Sequence, residues 1–196
     1  MKKLHFIILV IFVFALGCSD SKTDISNSDS SKSITKLEKF SSKKGELYVK
    51  DFCNIGQIKD KYTQEMNFDA IVLYKPGDEG NRLKGLRIEL KTYAGYGSSK
   101  TETSFLDMEE LESLSKSIDY MLSLATKWKL TEREYSEVKF MTIGNFGIGF
   151  YQSKKELTAY ANNGVLQNNY FLFNTVDELS SLKDKINNSI QTLNSK

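Results

Sequence analysis

The 196-residue sequence predicts an α+β fold in which two antiparallel β-meanders, each followed by one helix, pack as one domain. Two observations lead to this prediction. Residues 107–125 and 175–193 have the same helical hydrophobic pattern, and the segments before each of them alternate apolar and polar residues in the manner of strands. The expected domain covers residues 41–196, with one half at about 45–130 and the other at about 134–196.

The two predicted helices share one apolar stripe and one start signal. Asp107 can accept a hydrogen bond from the first helical turn, and Glu110 lies three positions later. Thr175 and Glu178 repeat this arrangement in the second half, so both helices are expected to begin with a capping box. The apolar positions that coincide are Leu111, Leu114, Ile118, Leu122 and Ala125 in the first helix, and Leu179, Leu182, Ile186, Ile190 and Leu193 in the second.

The strands of the first half are predicted from residue alternation and turn composition. Residues 83–93 alternate aliphatic with charged side chains, which is typical of a strand with one solvent-exposed face. Residues 75–81 contain proline, aspartate and two glycines, and they are expected to form a turn after a strand at 68–74. Residues 45–58 are expected to add an edge strand.

The second half begins with a predicted strand at residues 136–142, which aligns with residues 68–74 at the offset that superimposes the two helices. Gly144-Asn145 predicts a two-residue hairpin turn after this strand. Further strand segments are expected at residues 146–152, 156–161 and 169–174. This element order is similar to that of whirly-type single-stranded-DNA-binding proteins and of uncharacterised bacterial strand-meander and helix repeat proteins, and neither resemblance carries a diagnostic motif.

The N terminus has the pattern of a secretory signal. Lys2 and Lys3 precede an unbroken apolar run from Phe6 to Leu16. A helix of that length covers roughly 16 Å, which is about half of the ~30 Å hydrocarbon layer of a membrane. The sequence therefore predicts a signal peptide at residues 1–17 that is removed, and it does not predict a transmembrane helix.

The residues at the end of this run, Ala15-Leu16-Gly17-Cys18, resemble the lipobox of bacterial lipoproteins. The resemblance implies cleavage after Gly17 and attachment of diacylglycerol to the Cys18 thiol, so that acyl chains anchor the protein to a membrane. Because Ser19 is not the aspartate associated with inner-membrane retention, the expected location is the outer membrane of a bacterial cell envelope, at its periplasmic face or on the cell surface. The alternative is an ordinary signal peptide with an incidental cysteine.

Residues 18–40 are expected to form a flexible tether, because residues 19–33 contain seven serines and one aliphatic residue, Ile25. Removal of residues 1–17 takes away two lysines and no acid, and it leaves 25 basic and 25 acidic residues. A neutral chain without a basic stripe is not typical of nucleic-acid-binding proteins. The expected membrane location also argues against a nucleic acid as the partner.

The cleaved chain has no histidine, because the only one is His5. This absence excludes the usual serine- and cysteine-hydrolase triads and histidine-ligated metal sites. Cys53 is the only thiol left once Cys18 is lipidated, so neither an intramolecular disulfide nor a four-ligand zinc site is expected. Cys53 is interpreted as a small buried apolar residue, with a reactive or intermolecular thiol as the alternative. No catalytic residue, metal or cofactor is predicted.

Tyrosines provide the one positive indication of recognition. Tyrosine can stack on sugar rings or contact proteins, although packing in the core is the commoner role of aromatic residues on sheets. Carboxylates could supply a glycosidase pair, but nothing in the sequence brings two of them together. The glycines of residues 144–150 and 94–99 are interpreted as a hairpin and a loop, not as phosphate-binding loops. The tyrosines concerned are Tyr93, Tyr96, Tyr151, Tyr160 and Tyr170, and the acids are Asp78, Glu79, Glu102, Asp107, Glu109 and Glu110.

Three functions are compatible with these features. The favoured one is a non-catalytic envelope lipoprotein whose domain binds a protein or glycan partner. The second is an enzyme that uses carboxylates to act on cell-wall or other glycans. The third is a carrier of lipids or small molecules with a cavity between sheet and helices. No residue pattern identifies the partner, and no oligomeric state is predicted.

Overall fold

The elements of the fold follow the strand alternation and the helical stripes of the sequence. The structure, a computed structural model, describes residues 34–93, 99–163 and 170–196, which belong to one compact unit. In chain order the elements are α1 (Lys36–Ser41), β1 (Val49–Lys59), β2 (Glu65–Tyr74), β3 (Leu83–Tyr93), β4 (Ser99–Asp107), α2 (Met108–Trp128), β5 (Arg133–Met141), β6 (Phe146–Lys154), β7 (Glu156–Asn163), β8 (Tyr170–Leu172), a 3₁₀ turn (Val176–Glu178) and α3 (Leu179–Asn194).

The strands form two antiparallel four-stranded sheets, one from β1 to β4 and the other from β5 to β8, with neighbours in chain order. Each sheet is followed in the chain by one long helix, which confirms the predicted α+β fold of two meander-plus-helix halves. β1 confirms the edge strand that residues 45–58 predict. The sequence interpretation missed β4, because residues 99–104 are all polar and show no alternation with apolar residues.

Apolar residues at alternate strand positions and on the two helical stripes form the main core. Leu86, Ile88 and Leu90 of β3 are fully buried, as their alternation with charged residues predicts. α3 packs against β1, β2 and β3, while α2 packs against α3 and against strands of both sheets. Full burial of such a side chain contributes about 1.5–3 kcal/mol. The buried stripe positions are Leu111, Leu114, Ile118, Met121 and Ala125 in α2 and Leu179, Leu182, Ile186 and Leu193 in α3, with Leu122 and Ile190 partly buried.

The two sheets meet where one end of the second sheet lies against β4 of the first. Asn163, the last residue of β7, donates from its side-chain amide to the backbone carbonyl of Glu102 at 3.0 Å. Gly144 in the β5–β6 turn lies so close to β4 that a Cβ there would be 1.8 Å from the carbonyl oxygen of Phe105. A residue with a side chain at this position would therefore push the turn away from β4.

The tether expected at residues 18–40 is wrong at its C-terminal end, where α1 forms. The side chain of Thr35 accepts a hydrogen bond from the Glu38 backbone N–H at 3.1 Å, and Glu38 accepts one from the Thr35 N–H at 2.9 Å. This capping box satisfies donors of the first turn and starts the helix. α1 has only six residues, too few for a hydrophobic period to be visible in the sequence. Residues 18–33 lie outside the described residues.

α1 is held in place by a smaller core on the other face of the first sheet. Leu37 is 1% exposed and packs with Ile71 and Leu73 of β2. Asp107, the residue before α2, accepts hydrogen bonds from the backbone N–H groups of Lys36 at 2.7 Å and of Leu37 at 3.1 Å. A carboxylate is favourable there because the first amides of a helix have no partner within the helix. Asp107 therefore connects the start of α1 to the start of α2.

Only the first of the two predicted capping boxes is present. The backbone N–H of Asp107 donates to the carboxylate of Glu110 at 3.0 Å, as predicted. In the second half a 3₁₀ turn precedes α3, and Glu178 accepts from the backbone N–H of Asn174 at 3.0 Å. The predicted box of Thr175 with Glu178 is therefore wrong. The tighter winding of the 3₁₀ turn brings the carboxylate back to the residue before Thr175.

The turn between β5 and β6 is longer than the two-residue hairpin that Gly144-Asn145 predicts. Residues 142–145 form it, and the N–H of Thr142 donates to the carbonyl of Phe146 at 2.9 Å. Asn145 has a φ of 63°, a left-handed conformation that asparagine adopts more readily than most residues. The asparagine is thus the residue that reverses the chain.

The helices repeat in sequence, but the strands do not correspond as the alignment predicts. Residues 68–74 belong to the central strand β2, whereas 136–142 correspond to β5, an edge strand like β1. The alignment of these two segments is therefore wrong. The reason lies in the turns, since residues 75–82 separate β2 from β3 while Lys155 alone separates β6 from β7.

The part of the chain that the structure describes contains no helix long and apolar enough to cross a membrane. The expected signal peptide, its cleavage site at Gly17 and the lipidation site at Cys18 lie outside the described residues. They stay predictions from the sequence.

Candidate functional site: a tyrosine cleft on the second sheet

The second sheet has an apolar face in the core and a tyrosine-rich face on the other side. Phe146, Ile148 and Phe150 of β6 are buried in the main core. The positions that alternate with these three along β6, including Tyr151, face the opposite side of the sheet, because successive side chains of a strand alternate. The side chains that line a cleft there, which we call the tyrosine cleft, are Tyr135 and Glu137 of β5, Tyr151 of β6, Tyr160 of β7, and Tyr170 and Leu172 of β8.

The strand register brings these side chains together from four strands. Tyr151 lies opposite Glu137 of β5, and Tyr160 lies opposite Leu172 of β8. Directly opposed residues on one face of an antiparallel pair have their Cβ atoms only about 5 Å apart. Residues that are distant in the sequence therefore form one surface.

Gly149 makes room for the ring at the floor of the tyrosine cleft. It is the register partner of Tyr160. A Cβ at Gly149 would lie 2.9 Å from the hydroxyl oxygen of Tyr160 and 3.1 Å from its Cζ. A glycine inside a strand often marks such a close approach. Because no side chain stands there, the ring of Tyr160 extends across β6 toward Glu137 on β5.

The four rings form two walls that are almost perpendicular. Tyr135 and Tyr151 stack with centroids 5.8 Å apart and planes at 27°. Tyr151 and Tyr160 follow at 6.5 Å and 38°. Tyr160 and Tyr170 meet edge to face at 5.4 Å and 84°. These are separations of favourable aromatic pairs, so the rings stabilise one another.

Glu137 provides the charge of the tyrosine cleft. Its carboxylate accepts a hydrogen bond from the hydroxyl of Tyr160. Burial, and next the hydrogen bond to Glu137, raises the pKa of Tyr160 far above its ordinary value. The phenol of Tyr160 therefore stays protonated at neutral pH and remains a donor to the carboxylate.

The tyrosine cleft has a buried floor and an open mouth. Its volume is about 310 Å³, at the lower end of the ~300–1,000 Å³ that small-ligand sites enclose. Tyr160 at the floor is 3% exposed, whereas Tyr135 at the mouth is 60% exposed. A small group can thus enter from solvent and meet rings that are already in place.

The structure brings together three of the tyrosines that the sequence singled out. Tyr151, Tyr160 and Tyr170 line the tyrosine cleft together. Tyr93 is the last residue of β3, and its side chain is not among those the structure describes. Tyr96 lies outside the described residues.

Sequence reasoning missed Tyr135 and Glu137. The signal for them was the alternation within residues 133–141, in which Val138 and Phe140 turn toward the core. The residues between must then lie on the opposite face together. Only the pairing of β5 with β6 shows that this face is the one with Tyr151.

The acids considered for a glycosidase pair at the start of α2 have structural partners. Glu110 accepts hydrogen bonds from the backbone N–H groups of Asp107 at 3.0 Å and of Ile143 at 2.6 Å. Burial raises the pKa of Glu110. Glu109 forms an ion pair with Lys36 at 2.5 Å, and the hydrogen bond from that lysine lowers the pKa of Glu109. These carboxylates hold α1, α2 and the β5–β6 turn together.

The remaining acids are separated from the tyrosine cleft. Asp78 and Glu79 lie in the β2–β3 turn, and Glu102 on β4 pairs with Lys100 at 2.6 Å. None of the six acids is among the described residues that line the tyrosine cleft. The structure therefore gives no support to a catalytic pair at that site.

Cys53 and the glycines of residues 144–150 have local roles in packing. Cys53 lies on β1 opposite Ala70 and packs against the main core, but it is half-buried, not buried as expected. The glycines of residues 144–150 lie in the β5–β6 turn and in β6, and they allow close approaches of backbone and ring. Residues 94–98 are outside the described part of the chain.

Within residues 34–93, 99–163 and 170–196, no group of three or more His, Cys, Asp or Glu side chains is placed to hold a metal ion. No protein-family model, no curated protein and no solved structure matches the chain. The geometry of the tyrosine cleft is therefore the observation that bears on function.

Proposed function

We propose that this chain is a non-catalytic binding protein of the bacterial cell envelope, anchored to a membrane by lipid on Cys18, and that its tyrosine cleft binds a protein or glycan partner. The tyrosine cleft is the observation that carries the binding part of the proposal. The membrane part rests on the lipobox resemblance of residues 15–18. The two parts are independent, and each has its own test.

The chemistry of the tyrosine cleft supports recognition. Each tyrosine combines a flat apolar ring with a hydroxyl that can form hydrogen bonds, which suits a sugar ring or a side chain of a partner protein. Tyr160 is buried and its hydroxyl is bonded to Glu137, so this ring is held in one orientation before a ligand arrives. A site that is already ordered loses less conformational entropy on binding.

Two observations favour binding over the alternatives. A glycan hydrolase needs two carboxylates about 5–10 Å apart, and Glu137 is the one carboxylate among the described residues that line the tyrosine cleft. A carrier would need a cavity between sheets and helices, but that space is filled by side chains such as Phe68, Phe150 and Leu114, which are fully buried.

The binding part is tested with the chain lacking residues 1–17 and carrying Cys18→Ser, which is made without lipid. The protein is immobilised and offered a glycan array and a detergent extract of cell envelopes. We expect it to retain a defined glycan or protein, and Tyr170→Ala to weaken that binding about tenfold or more. Tyr62→Ala is the matched control, because Tyr62 is an exposed tyrosine of the β1–β2 turn outside the cleft.

Equal retention by the Tyr170→Ala protein would contradict the proposal, since the partner would then bind elsewhere. Conversion of a glycan into products by the purified chain would contradict its non-catalytic part. Thermal unfolding of each variant, measured alongside, separates loss of the site from loss of the fold.

A further inference from the structure

We propose that the tyrosine cleft selects a quaternary ammonium group, of the kind carried by choline or by trimethyllysine. This inference rests on the proposed function, because it names the ligand chemistry of the same cleft. It is carried by three features of the described residues: a carboxylate that forms no ion pair, aromatic walls that are nearly perpendicular, and a lining that consists mainly of aromatic rings.

Glu137 gives the tyrosine cleft a negative charge close to the rings. None of the ion pairs between described residues includes Glu137. Lys139, two positions further along β5, lies on the same face of the strand as Glu137 and lines a groove beside α2 with Tyr120. Glu137 is itself an exposed residue of β5. A cation at the mouth of the cleft is therefore attracted to a carboxylate that forms no ion pair, with the strength that is typical of charges near a protein surface.

The rings of the tyrosine cleft are arranged to contact one cation together. A cation is attracted to the face of an aromatic ring when it lies within about 6 Å of the centroid. The centroids of Tyr160 and Tyr170 are 5.4 Å apart with perpendicular planes, and Tyr151 lies 6.5 Å from Tyr160. A group in this corner can reach several rings at once. The hydrogen bond that Tyr160 donates to Glu137 also increases the electron density of its ring.

Other aromatic residues of the described chain already have cations of their own. The contacts include Arg133 over Trp128 at 4.3 Å, Arg87 over Phe52 at 4.7 Å and Lys61 over Tyr62 at 4.9 Å. Among the described residues, no such contact involves Tyr135, Tyr151 or Tyr160. No described lysine or arginine therefore covers Tyr135 or Tyr151, while Tyr160, which is 3% exposed, forms the floor of the cleft.

The lining of the tyrosine cleft favours a methylated ammonium over a primary one. A primary ammonium has three N–H donors, which need acceptors when the group leaves water. Four of the six lining residues are tyrosines, whose ring faces are weak hydrogen-bond acceptors, and the carboxylate of Glu137 already accepts from Tyr160. A quaternary ammonium has no N–H group, so its methyl groups can contact the rings while its charge faces the carboxylate. The volume of about 310 Å³ suits such a headgroup.

The test uses the chain lacking residues 1–17 with Cys18→Ser and two probes of nearly the same shape, choline and its uncharged carbon isostere 3,3-dimethylbutan-1-ol. Titration calorimetry should show choline binding about tenfold more tightly than the isostere. Glu137→Gln keeps the size of the side chain and should remove most of that preference. Tyr62→Ala should leave both affinities unchanged.

A second pair of variants keeps the test decisive if Glu137→Gln disturbs the fold. Tyr170→Phe retains the ring and should retain choline binding, whereas Tyr170→Leu removes the ring and should weaken choline binding about tenfold. Loss of choline binding in both variants would show that the hydroxyl, and not the ring, is what matters, and it would overturn the proposal.

The natural source of the group is resolved by two further probes. Vesicles of phosphatidylcholine are compared with vesicles of phosphatidylglycerol, and a peptide with trimethyllysine is compared with the unmodified peptide. Binding of either methylated probe over its control supports the proposal and identifies the lipid or the protein as the source.

Two outcomes would overturn the inference. One of them leaves the proposed function intact, and the other contradicts it as well. Equal affinity for choline and the isostere, together with Tyr170-dependent binding of a glycan or protein, would refute the quaternary ammonium and leave the proposed function intact. Absence of any ligand, probe or partner whose binding depends on the cleft would contradict both.

Discussion

Gly149 controls the position of the Tyr160 ring, because it is the place where that ring crosses β6. Its missing Cβ would also lie 2.3 Å from the backbone carbonyl oxygen of Val138 on the neighbouring strand. A flexible side chain can move away from a new atom, but a carbonyl held in a sheet cannot move without disturbing the pairing of β5 with β6. One glycine therefore sets both the sheet geometry and the shape of the cleft.

Gly149→Ala is expected to lower the free energy of unfolding by about 1–3 kcal/mol, the usual cost of an overpacked site. Urea denaturation measures the change. Gly80→Ala is the matched control, since a Cβ there meets nothing within 4 Å, and it should alter stability by less than about 0.5 kcal/mol. Equal effects of the two substitutions would show that β5 and β6 have more space between them than the structure has.

The raised pKa of Tyr160 implies that the folded protein becomes less stable at alkaline pH. The pKa of Tyr160 is raised in the folded protein, whereas in the unfolded chain a tyrosine ionises near pH 10. Above about pH 10 the unfolded chain binds fewer protons than the folded one, so the free energy of unfolding falls as pH rises, by up to about 1.4 kcal/mol per pH unit from this residue.

Tyr160→Phe should remove this contribution and make the decline in stability shallower, although the variant starts from a lower stability because Glu137 loses a donor. Urea denaturation at several pH values above 10 compares the slopes, with Tyr62→Phe as the control. Parallel slopes for wild type and Tyr160→Phe would mean that Tyr160 ionises normally in the folded protein.

At the scale of elements, α1 shows how a short helix depends on contacts that are distant in the sequence. A helix of six residues is not stable by itself in water. Its capping box, the apolar contact of Leu37 and the carboxylate of Asp107 together hold it on the first sheet. α1 should therefore unfold when one of these distant contacts is removed.

Asp107→Ala is expected to cost about 2–3 kcal/mol, because it removes the acceptor of the backbone N–H groups of Lys36 and Leu37. Urea denaturation gives the cost, and amide hydrogen exchange should become faster across residues 36–41. Asp177→Ala, which removes a mostly exposed carboxylate, should change neither quantity appreciably. Unchanged exchange in Asp107→Ala would refute the connection between α1 and α2.

At the scale of the whole molecule, the two halves share one core and cannot be treated as separate domains. α2 contacts α3 and strands of both sheets, and the β5–β6 turn lies directly on β4. The halves therefore form a single unit that presents one tyrosine cleft, although their chain organisation repeats. Whether that unit is held at a membrane depends on residues before it.

Cys18→Ala tests the membrane anchor. The substitution should abolish labelling by a radioactive or clickable fatty acid and move the protein from the membrane to the soluble fraction, because it removes the acyl chains that hold the protein on the bilayer. Cys53→Ala is the matched control and should keep both the label and the fractionation. A Cys18→Ala protein that still fractionates with membranes would refute the lipid anchor.

The sequence predicted helices and strands correctly where one hydrophobic period continued over several helical turns or strand positions. The stripes of α2 and α3 and the alternation in β3 are of this kind, because burial against a flat core imposes the period directly on the sequence. β4 was missed because its first residues are polar on both faces. The capping box at Thr175 was misassigned because a 3₁₀ turn and an α-helical turn require the same residue types.

Only part of the candidate site could be predicted from the sequence. Tyr151, Tyr160 and Tyr170 could be named as residues suited to recognition, but not as neighbours. Glu137 could not be associated with Tyr160, because their contact depends on the register of two strand pairs and on Gly149 between them.

Local sequence patterns were enough to predict the α+β class, the two amphipathic helices, the edge strand β1 and a lipid anchor, because each of these depends on residues that are close together in the chain. Three features became visible in the folded chain: which strands of the two halves correspond, where α1 lies, and how the tyrosine cleft is assembled. These depend on turn lengths, strand register and contacts between distant residues, and no local pattern encodes such distances.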